Sequence, residues 1–331
     1  MRVIGVDPRD VSLEGDYPTP IRSRSTARIE RAGPKPPALA EPAGAPTGYG
    51  RGMTGPRFGV DIAQQRMEWD DLLGRVRLSE DLGFDGVWGF DHFVPMYGEG
   101  PGNCFEGMTT LAAFASATSR IRLGLLVTGV TYRHPSVLAA QAVTVDHASH
   151  GRLELAMGAA WYQAEHKQLG IDFPPLAERF DRLEDCLEIL TRLFTGEVVD
   201  YEGRVYSLAG AQLRPTPVQQ PHPPLWIGGS GRKRTLPLVA RFADAWHCYE
   251  SPSTYRELSS LVDELAAAAG RDPASIARAS SLSLSEPWSE VRANAEAMRA
   301  AGVDYLVCGW PAEGAARVEE FVTLVLPDLA D

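Results

Sequence analysis

Apolar and polar residues alternate with two different periods along residues 57–326. Long stretches place apolar residues three and four positions apart, as over 178–194, which is typical of one face of an α-helix. Between them lie short apolar runs bounded by glycine and polar residues, which are typical of buried strands. The predicted strands are 58–62, 86–89, 121–127, 153–157, 225–228, 243–247, 279–284 and 304–308. The predicted helices are 69–82, 105–118, 135–148, 178–194, 232–242, 253–269, 289–300 and 316–326.

Eight strands that alternate with eight helices predict an α/β fold, a (β/α)8 TIM barrel. A doubly wound sheet is the alternative, and it requires a glycine-rich dinucleotide loop after the first strand. Residues 63–67 are Ala-Gln-Gln-Arg-Met and hold no glycine. The alternation pauses at 195–224, where β-type sequence with a Glu-Gly turn is followed by five prolines. We therefore expect a β-hairpin insertion and a rigid connector before the fifth strand.

Residues 1–52 differ from the rest of the chain, because they hold 8 of its 25 prolines and show no apolar periodicity. Such sequence cannot bury enough apolar surface to offset the entropy of ordering. We expect a disordered N-terminal tail over 1–52 and a barrel domain over 53–331. Met53 is a candidate for the true start of the protein.

Composition excludes several functional classes. The 331 residues are 44% hydrophobic and carry a net charge of -11, which argues against nucleic-acid binding. No apolar run approaches the roughly 20 residues that span a bilayer, and the N-terminus lacks the apolar core of a secretory signal. Four scattered cysteines show no metal or redox spacing, and although four could pair, nothing suggests a secreted disulfide framework. These features predict a cytoplasmic protein without a membrane partner.

Asp91 and His92 lie just after the predicted strand 86–89, separated from it only by Phe90. Catalytic side chains of β/α barrels lie at the carboxyl ends of strands, so these two residues are candidates for chemistry. A histidine there can accept or donate a proton near neutral pH, and Asp91 is a candidate for orienting it. The alternative is an aspartate that caps the next segment beside a histidine on a polar loop.

A glycine-rich loop follows the fifth predicted strand. Glycines let the backbone approach a ligand, and N–H groups at a helix N-terminus bind anions. The next three residues are the cations Arg232, Lys233 and Arg234. In the first turn of a helix that begins at 232, their charges are unfavourable with the helix dipole unless an anion is bound. The alternative is three solvated side chains beside a flexible loop. The predicted phosphate-binding residues are Gly228, Gly229, Ser230, Gly231 and Arg232.

Two further strand ends, at 126–135 and 157–162, combine small residues with a large aromatic residue. Such segments can form a floor for a planar ring, although each is also compatible with simple packing. His147, His150 and the pair Glu165-His166 lack a complete metal-ligand spacing, so we expect helix-capping roles and no metal site.

Several motifs together resemble the luciferase-like monooxygenase superfamily, and within it the oxidoreductases that depend on the deazaflavin coenzyme F420. The similarity covers about 57–331 and leaves 1–52 unmatched. It is carried by Gly-Phe-Asp-Gly-Val-Trp-Gly-Phe-Asp-His-Phe at 83–93, Arg-Ile-Arg-Leu-Gly-Leu-Leu-Val-Thr-Gly-Val-Thr-Tyr-Arg-His-Pro at 120–135, Gly-Arg-Leu-Glu-Leu-Ala-Met-Gly-Ala-Ala-Trp at 151–161, and the segments 173–184 and 225–246.

The resemblance implies a barrel with the deazaflavin ring in its carboxyl-end mouth and a non-proline cis peptide near Leu126-Val127. It implies that His92 takes the substrate proton as hydride leaves. Sugar-phosphate dehydrogenases of the family have a glutamate where this chain has Trp161, which puts that reaction in doubt. The residues expected to bind the cofactor are Asp91, Leu126, Val127, Thr128, Gly158 and Trp161, with the phosphate loop.

Three functions stay open at this point. The first is hydride transfer between coenzyme F420 and a small organic substrate. The second is an FMN-dependent monooxygenase that receives reduced FMN from a separate reductase, and the third is a non-catalytic flavin-binding barrel. The superfamily often forms dimers, which on resemblance alone suggests a homodimer.

Overall fold

A computed structural model describes residues 56–330, so the predicted tail over 1–52 lies outside the described residues. The strands are β1 Arg57–Asp61, β2 Gly86–Gly89, β3 Arg122–Leu125, β4 Thr128–Gly129, β5 Leu153–Gly158, β6 Val199–Glu202, β7 Ser207–Ala211, β8 Leu225–Gly228, β9 Ala245–His247, β10 Ala277–Ser283 and β11 Tyr305–Gly309. The helices are α1 Trp69–Asp81, α2 Gly107–Ala117, α3 Pro135–Ala148, α4 Gln163–Leu169, α5 Leu176–Leu193, α6 Thr235–Phe242, α7 Pro252–Ala268, α8 Trp288–Ala300, α9 Ala315–Glu320 and α10 Leu326–Ala330. A π-helical turn, Phe321–Val325, joins α9 to α10.

Parallel pairing closes the sheet into a barrel. The order of the main strands is β3, β2, β1, β11, β10, β9, β8 and β5, and β3 also pairs with β5. β4 continues the course of β3 after two residues and pairs with β5. The prediction of a (β/α)8 TIM barrel is confirmed, because each short apolar run forms one parallel strand with helices between strands.

Large aromatic rings fill the barrel interior, and glycines on neighbouring strands make room for them. The rings of Trp88 and Trp226 lie 4.6 Å apart, and Trp88 Nε1 donates to the Tyr305 hydroxyl at 3.2 Å. A Cβ on Gly59 would lie 2.4 Å from that hydroxyl, and one on Gly124 would lie 2.4 Å from the Trp88 ring. The barrel interior is therefore filled by packed side chains below its mouth.

An aspartate precedes three of the strands and ties each to a neighbouring strand. Asp85 accepts a hydrogen bond from Phe58 N at 2.7 Å, Asp244 accepts from Leu225 N at 2.8 Å, and Asp304 accepts from Arg278 N at 3.0 Å. Each carboxylate satisfies a backbone N–H at the amino end of the barrel. This recurring contact helps to fix the register of the strands.

Some element boundaries differ from the predictions. The predicted strand 121–127 ends at Leu125, because the chain bends at Leu126 and Val127 before β4. The predicted helix 232–242 begins only at Thr235, so the cations before it do not occupy a first helical turn. The short helix α4 was not predicted from the sequence. An antiparallel β6–β7 hairpin lies between α5 and β8.

Candidate active site

A cavity of about 530 Å³ opens at the carboxyl ends of the barrel strands. Its walls are formed by residues at the ends of β1, β4, β5, β8 and β9, in the segments after β1, β2, β3, β4, β5, β8 and β9, and on α5 and α6. The lining residues that matter for the site are Asp61, Asp91, His92, Tyr97, Leu126, Val127, Tyr132, Gly158, Trp161, Gly228, Gly229, His247 and Tyr249. The cavity lies at the end of the barrel where the sequence predicted the site, and it is large enough for a small ligand.

His92 is held in the cavity wall by a glutamate from α4. Its Nδ1 lies 2.9 Å from Glu165 Oε2, and the Glu165 side chain is fully buried. Within residues 56–330, Nε2 of His92 has no hydrogen-bond partner, and the residue lines the cavity. Because an ionised carboxylate accepts from Nδ1–H, this contact favours the tautomer with a free lone pair on Nε2.

Glu165 is kept ionised by several donors. It accepts hydrogen bonds from Phe93 N at 2.6 Å, from Val94 N at 3.0 Å and from the Tyr132 hydroxyl. Burial alone would raise the pKa of Glu165, but the hydrogen bonds from His92, Tyr132 and Phe93 N outweigh it and lower the pKa to about 2. The charge of Glu165 can therefore stabilise a protonated His92.

Asp91 does not orient His92, contrary to the expectation from sequence. Its carboxylate forms a two-pronged ion pair with Arg133, at 2.7 and 2.8 Å, and accepts from Gly129 N at 3.0 Å. Arg133 also bonds Glu106, the residue that caps α2. Asp91 lies at the cavity edge, and its contacts hold the segment after β3 in place.

The floor of the cavity is formed by the bend after β3. The peptide bond between Leu126 and Val127 is cis, as the resemblance implied, and both side chains line the cavity. A Cβ on Gly158 would lie 2.5 Å from the Val127 side chain, and one on Gly228 would lie 2.8 Å from it. The two glycines are therefore required for Val127 to lie where it does. Thr128 is buried in β4 and does not line the cavity.

The predicted phosphate loop is only partly at the cavity. Gly228 and Gly229 line it, whereas Ser230, Gly231 and Arg232 lie beyond its described lining. Arg232 is exposed and pairs with Glu257 at 3.0 Å. The unfavourable contact of three cations with a helix dipole does not arise, because α6 begins after them at Thr235.

Aromatic side chains surround the entrance. Trp161 is 67% exposed and lies edge-on to His92, with ring centroids 6.1 Å apart. Tyr97 and Tyr249 are also largely exposed and line the cavity. Arg66 supports the loop that carries Tyr97, because its guanidinium donates to the carbonyls of Tyr97 and Gly100 at 2.5 Å each. The entrance is therefore broad, aromatic and weakly polar.

Two titratable lining residues, Asp61 and His247, were not predicted from sequence. Asp61 ends β1, and burial raises its pKa to about 7 although the hydrogen bond from Ala63 N opposes this. His247 ends β9, burial lowers its pKa to about 3, and its Nε2 lies 3.0 Å from Ser281 Oγ. Tyr132 bonds Glu165. His247 closes the predicted strand 243–247, and Asp61 is the penultimate residue of the predicted strand 58–62, so their position near strand ends was the available signal.

Two other histidines, His166 and His147, have structural partners. His166 lies buried between Thr131 Oγ1 at 2.7 Å and the Tyr162 carbonyl at 2.8 Å, and it stacks on Tyr132. His147 lies in the last turn of α3 and contacts the Thr216 carbonyl at 2.8 Å. Among residues 56–330, no group of three or more histidines, cysteines or carboxylates has metal-binding geometry. None of the described helices is long and apolar enough to cross a membrane.

Two curated relatives are similar in sequence over part of their length. F420-dependent glucose-6-phosphate dehydrogenase of Microbacterium testaceum is 34% identical over 219 residues, which are 65% of this chain and 64% of that protein. F420-dependent hydroxymycolic acid dehydrogenase of Mycobacterium tuberculosis is 28% identical over 68% of this chain and 61% of that protein. The chain thus spans less than two thirds of the length of either relative.

Solved structures and a family model complete the comparison. An F420-dependent secondary alcohol dehydrogenase in complex with an F420-acetone adduct superposes with a TM-score of 0.75 at 19% identity, over 84% of this chain and 100% of that one. The F420-dependent tetrahydromethanopterin reductase of Methanopyrus kandleri gives 0.72 at 19% identity, over 83% and 99%. These likenesses establish the fold. The family model described as luciferase-like monooxygenase matches residues 52–322, and the chain belongs to this family.

Proposed function

We propose that this protein is an oxidoreductase that transfers hydride between coenzyme F420 and a small organic substrate in the mouth cavity. The observation that carries the proposal is the His92–Glu165 pair, which presents an imidazole Nε2 to a cavity of about 530 Å³. Two relatives named as F420-dependent dehydrogenases support the choice of cofactor.

The residues present fit a planar deazaflavin with a phosphorylated tail. Leu126 and Val127 offer an apolar floor, and glycines at 158 and 228 leave the backbone open at the strand ends. We assign the ring to this floor, together with Asp91 and Trp161 at the edges. The loop 228–232 offers glycines and one exposed cation for the phosphate and its acidic tail. Thr128 supports the floor from β4.

His92 moves the proton in this proposal. Bound F420 supplies the carbon that accepts or donates hydride. When a substrate alcohol is oxidised, Nε2 of neutral His92 accepts the hydroxyl proton, and the buried charge of Glu165 stabilises the resulting imidazolium. When a carbonyl is reduced, the same nitrogen returns the proton. Tyr132 and the backbone N–H groups of the loop after β2 hold Glu165 in position throughout.

Titration of the purified protein with F420 and FMN tests the cofactor. We expect F420 to bind more tightly, and replacing Arg232 and Lys233 together with alanine to weaken F420 more than FMN. A matched control removes two exposed cations elsewhere, Arg77 and Arg204, and leaves both affinities unchanged. Tighter binding of FMN would favour the monooxygenase with a separate reductase, and binding without turnover would favour a non-catalytic barrel. Sedimentation of the same sample checks the expected homodimer.

A further inference from the structure

Asp61 stands out among the acidic groups of the cavity. Along β1, Gly59 faces the aromatic interior, so Asp61, two residues later, faces the barrel axis one layer nearer the mouth. One of its carboxylate oxygens accepts a hydrogen bond from Ala63 N at 3.0 Å. No lysine, arginine or histidine of the described chain lies within ion-pair distance of it. Asp61 therefore brings an acidic group with spare hydrogen-bonding capacity into the cavity.

The other acidic groups nearby are already compensated. Arg133 pairs with Asp91, and the ring of His92 bonds Glu165. No lysine or arginine occurs among the described residues that line the cavity. The hydroxyl-bearing side chains on the Asp61 side are Tyr97 and Tyr249, and the charge of Asp61 contributes, after burial, to a raised pKa of both. The electrostatic character of this side of the cavity is thus set by Asp61.

We propose that Asp61 selects the substrate: its carboxylate accepts a hydrogen bond from a substrate hydroxyl and excludes substrates that carry a phosphate or carboxylate group. This inference rests on the proposed function, since it names the substrate class of the same cavity. A carboxylate without a cation partner repels an anion strongly in a partly desolvated site, whereas a hydroxyl donor gains a charge-assisted hydrogen bond. The substrate class is therefore an uncharged compound with at least two oxygen functions, one that reacts near His92 and one that bonds Asp61.

Two small probes with one carbon skeleton test the selection. 1-Phenyl-1,2-ethanediol is neutral, and mandelate carries a carboxylate in place of its terminal hydroxymethyl group. Ligand-observed NMR at pH 8, where Asp61 is mainly ionised, gives the affinity of each for the full-length protein with and without F420. We expect the wild type to bind the diol at least tenfold more tightly than mandelate.

Asp61→Asn keeps the size of the side chain and removes its charge. We expect this change to reduce the preference for the diol at least tenfold, and Asp61→Ser provides a second variant should the first fold poorly. Asp70→Asn, which removes one exposed carboxylate from α1, is the matched control and leaves the preference unchanged. A preference that stays within about twofold of wild type in Asp61→Asn would overturn the proposal, as would a wild type that fails to bind the diol.

The two proposals fail in different ways. Absence of F420 binding in the titration contradicts the hydride-transfer function, but the preference between diol and mandelate is still measured on the protein without cofactor. Tight F420 binding together with equal affinity for the two probes contradicts the role of Asp61 alone.

Discussion

Both ends of the barrel hold buried charged and aromatic residues, but the hydrogen bonds of these residues differ between the two ends. At the amino end, Glu154 accepts hydrogen bonds from Arg122 and from Trp226 Nε1, the latter at 2.7 Å. Arg152 donates to the carbonyls of Ile121 and Ala115, among others, at 2.7 and 2.9 Å. Buried charges there are paired with partners within the chain, as burial requires.

At the carboxyl end, some polar atoms have no hydrogen-bond partner among the described residues. His92 Nε2 and one oxygen of Asp61 lack partners among the described residues, and both residues line the cavity. Residues at the amino end of the barrel therefore serve mainly the stability of the fold, and residues at the carboxyl end serve mainly ligand binding. Substitutions at the amino end should change mainly the free energy of unfolding, and those at the mouth should change mainly binding and turnover.

The largest expected effect is at His92. His92→Asn retains a donor toward Glu165 and removes Nε2, so we expect kcat to fall by about 10²–10⁴ with cofactor affinity within a few fold. Steady-state kinetics with an accepted substrate and a cofactor titration measure both quantities. His150→Asn, at an exposed residue with positive φ that asparagine tolerates, is the control. Preserved turnover at saturation with weaker cofactor binding would assign His92 a packing role instead.

A tryptophan-to-alanine change should lower the stability of the fold at the amino end and ligand affinity at the mouth. Trp226→Ala removes a fully buried ring and the donor to Glu154, so we expect a loss of about 3–5 kcal/mol in the free energy of unfolding. Trp161→Ala at the mouth removes a ring that is 67% exposed, so stability should change by less than about 1 kcal/mol while ligand affinity falls. Urea unfolding of both variants checks this, and equal destabilisation would contradict the division between the ends.

The sequence predicted those features of the structure that depend on a single strand or helix. Strand and helix periodicity predicted the barrel, and the position of His92 after β2 placed it at the mouth. The partner of His92 was not predictable, because Glu165 lies 73 positions away on a short helix without a clear apolar face. Asp91 was the obvious neighbour in sequence, yet consecutive side chains along an extended chain point in different directions, and Asp91 turns to Arg133. The motif resemblance correctly implied the bend at Leu126 and Val127.

The stability contributed by Glu165 should depend on pH in a defined window. Its pKa is about 2 in the folded protein against an ordinary 4.5, so its carboxylate stabilises the fold above about pH 4.5 and loses this contribution as the pH falls toward 2. We expect the free energy of unfolding of the wild type to exceed that of Glu165→Gln by up to about 3 kcal/mol at pH 7. The difference should become progressively smaller below pH 4.5. Urea unfolding between pH 3 and 7 measures the difference. Glu264→Gln, on an exposed surface of α7, should show no such trend.

The smallest expected effect separates the cavity floor from an exposed helix. Gly158→Ala places a Cβ 2.5 Å from Val127, so Val127 must move in the floor where the cofactor ring is proposed to lie. We expect the Kd for F420 to rise about tenfold, equal to about 1.4 kcal/mol, with stability lowered by about 1–3 kcal/mol. Gly74→Ala is the matched control, because a Cβ there meets nothing within 4 Å and alanine favours the helical conformation of α1. It should raise stability by about 0.5–1 kcal/mol without changing Kd. Unchanged F420 affinity in Gly158→Ala would show that Val127 does not form the floor beneath the ring, and the ring would then have to lie against another wall of the cavity.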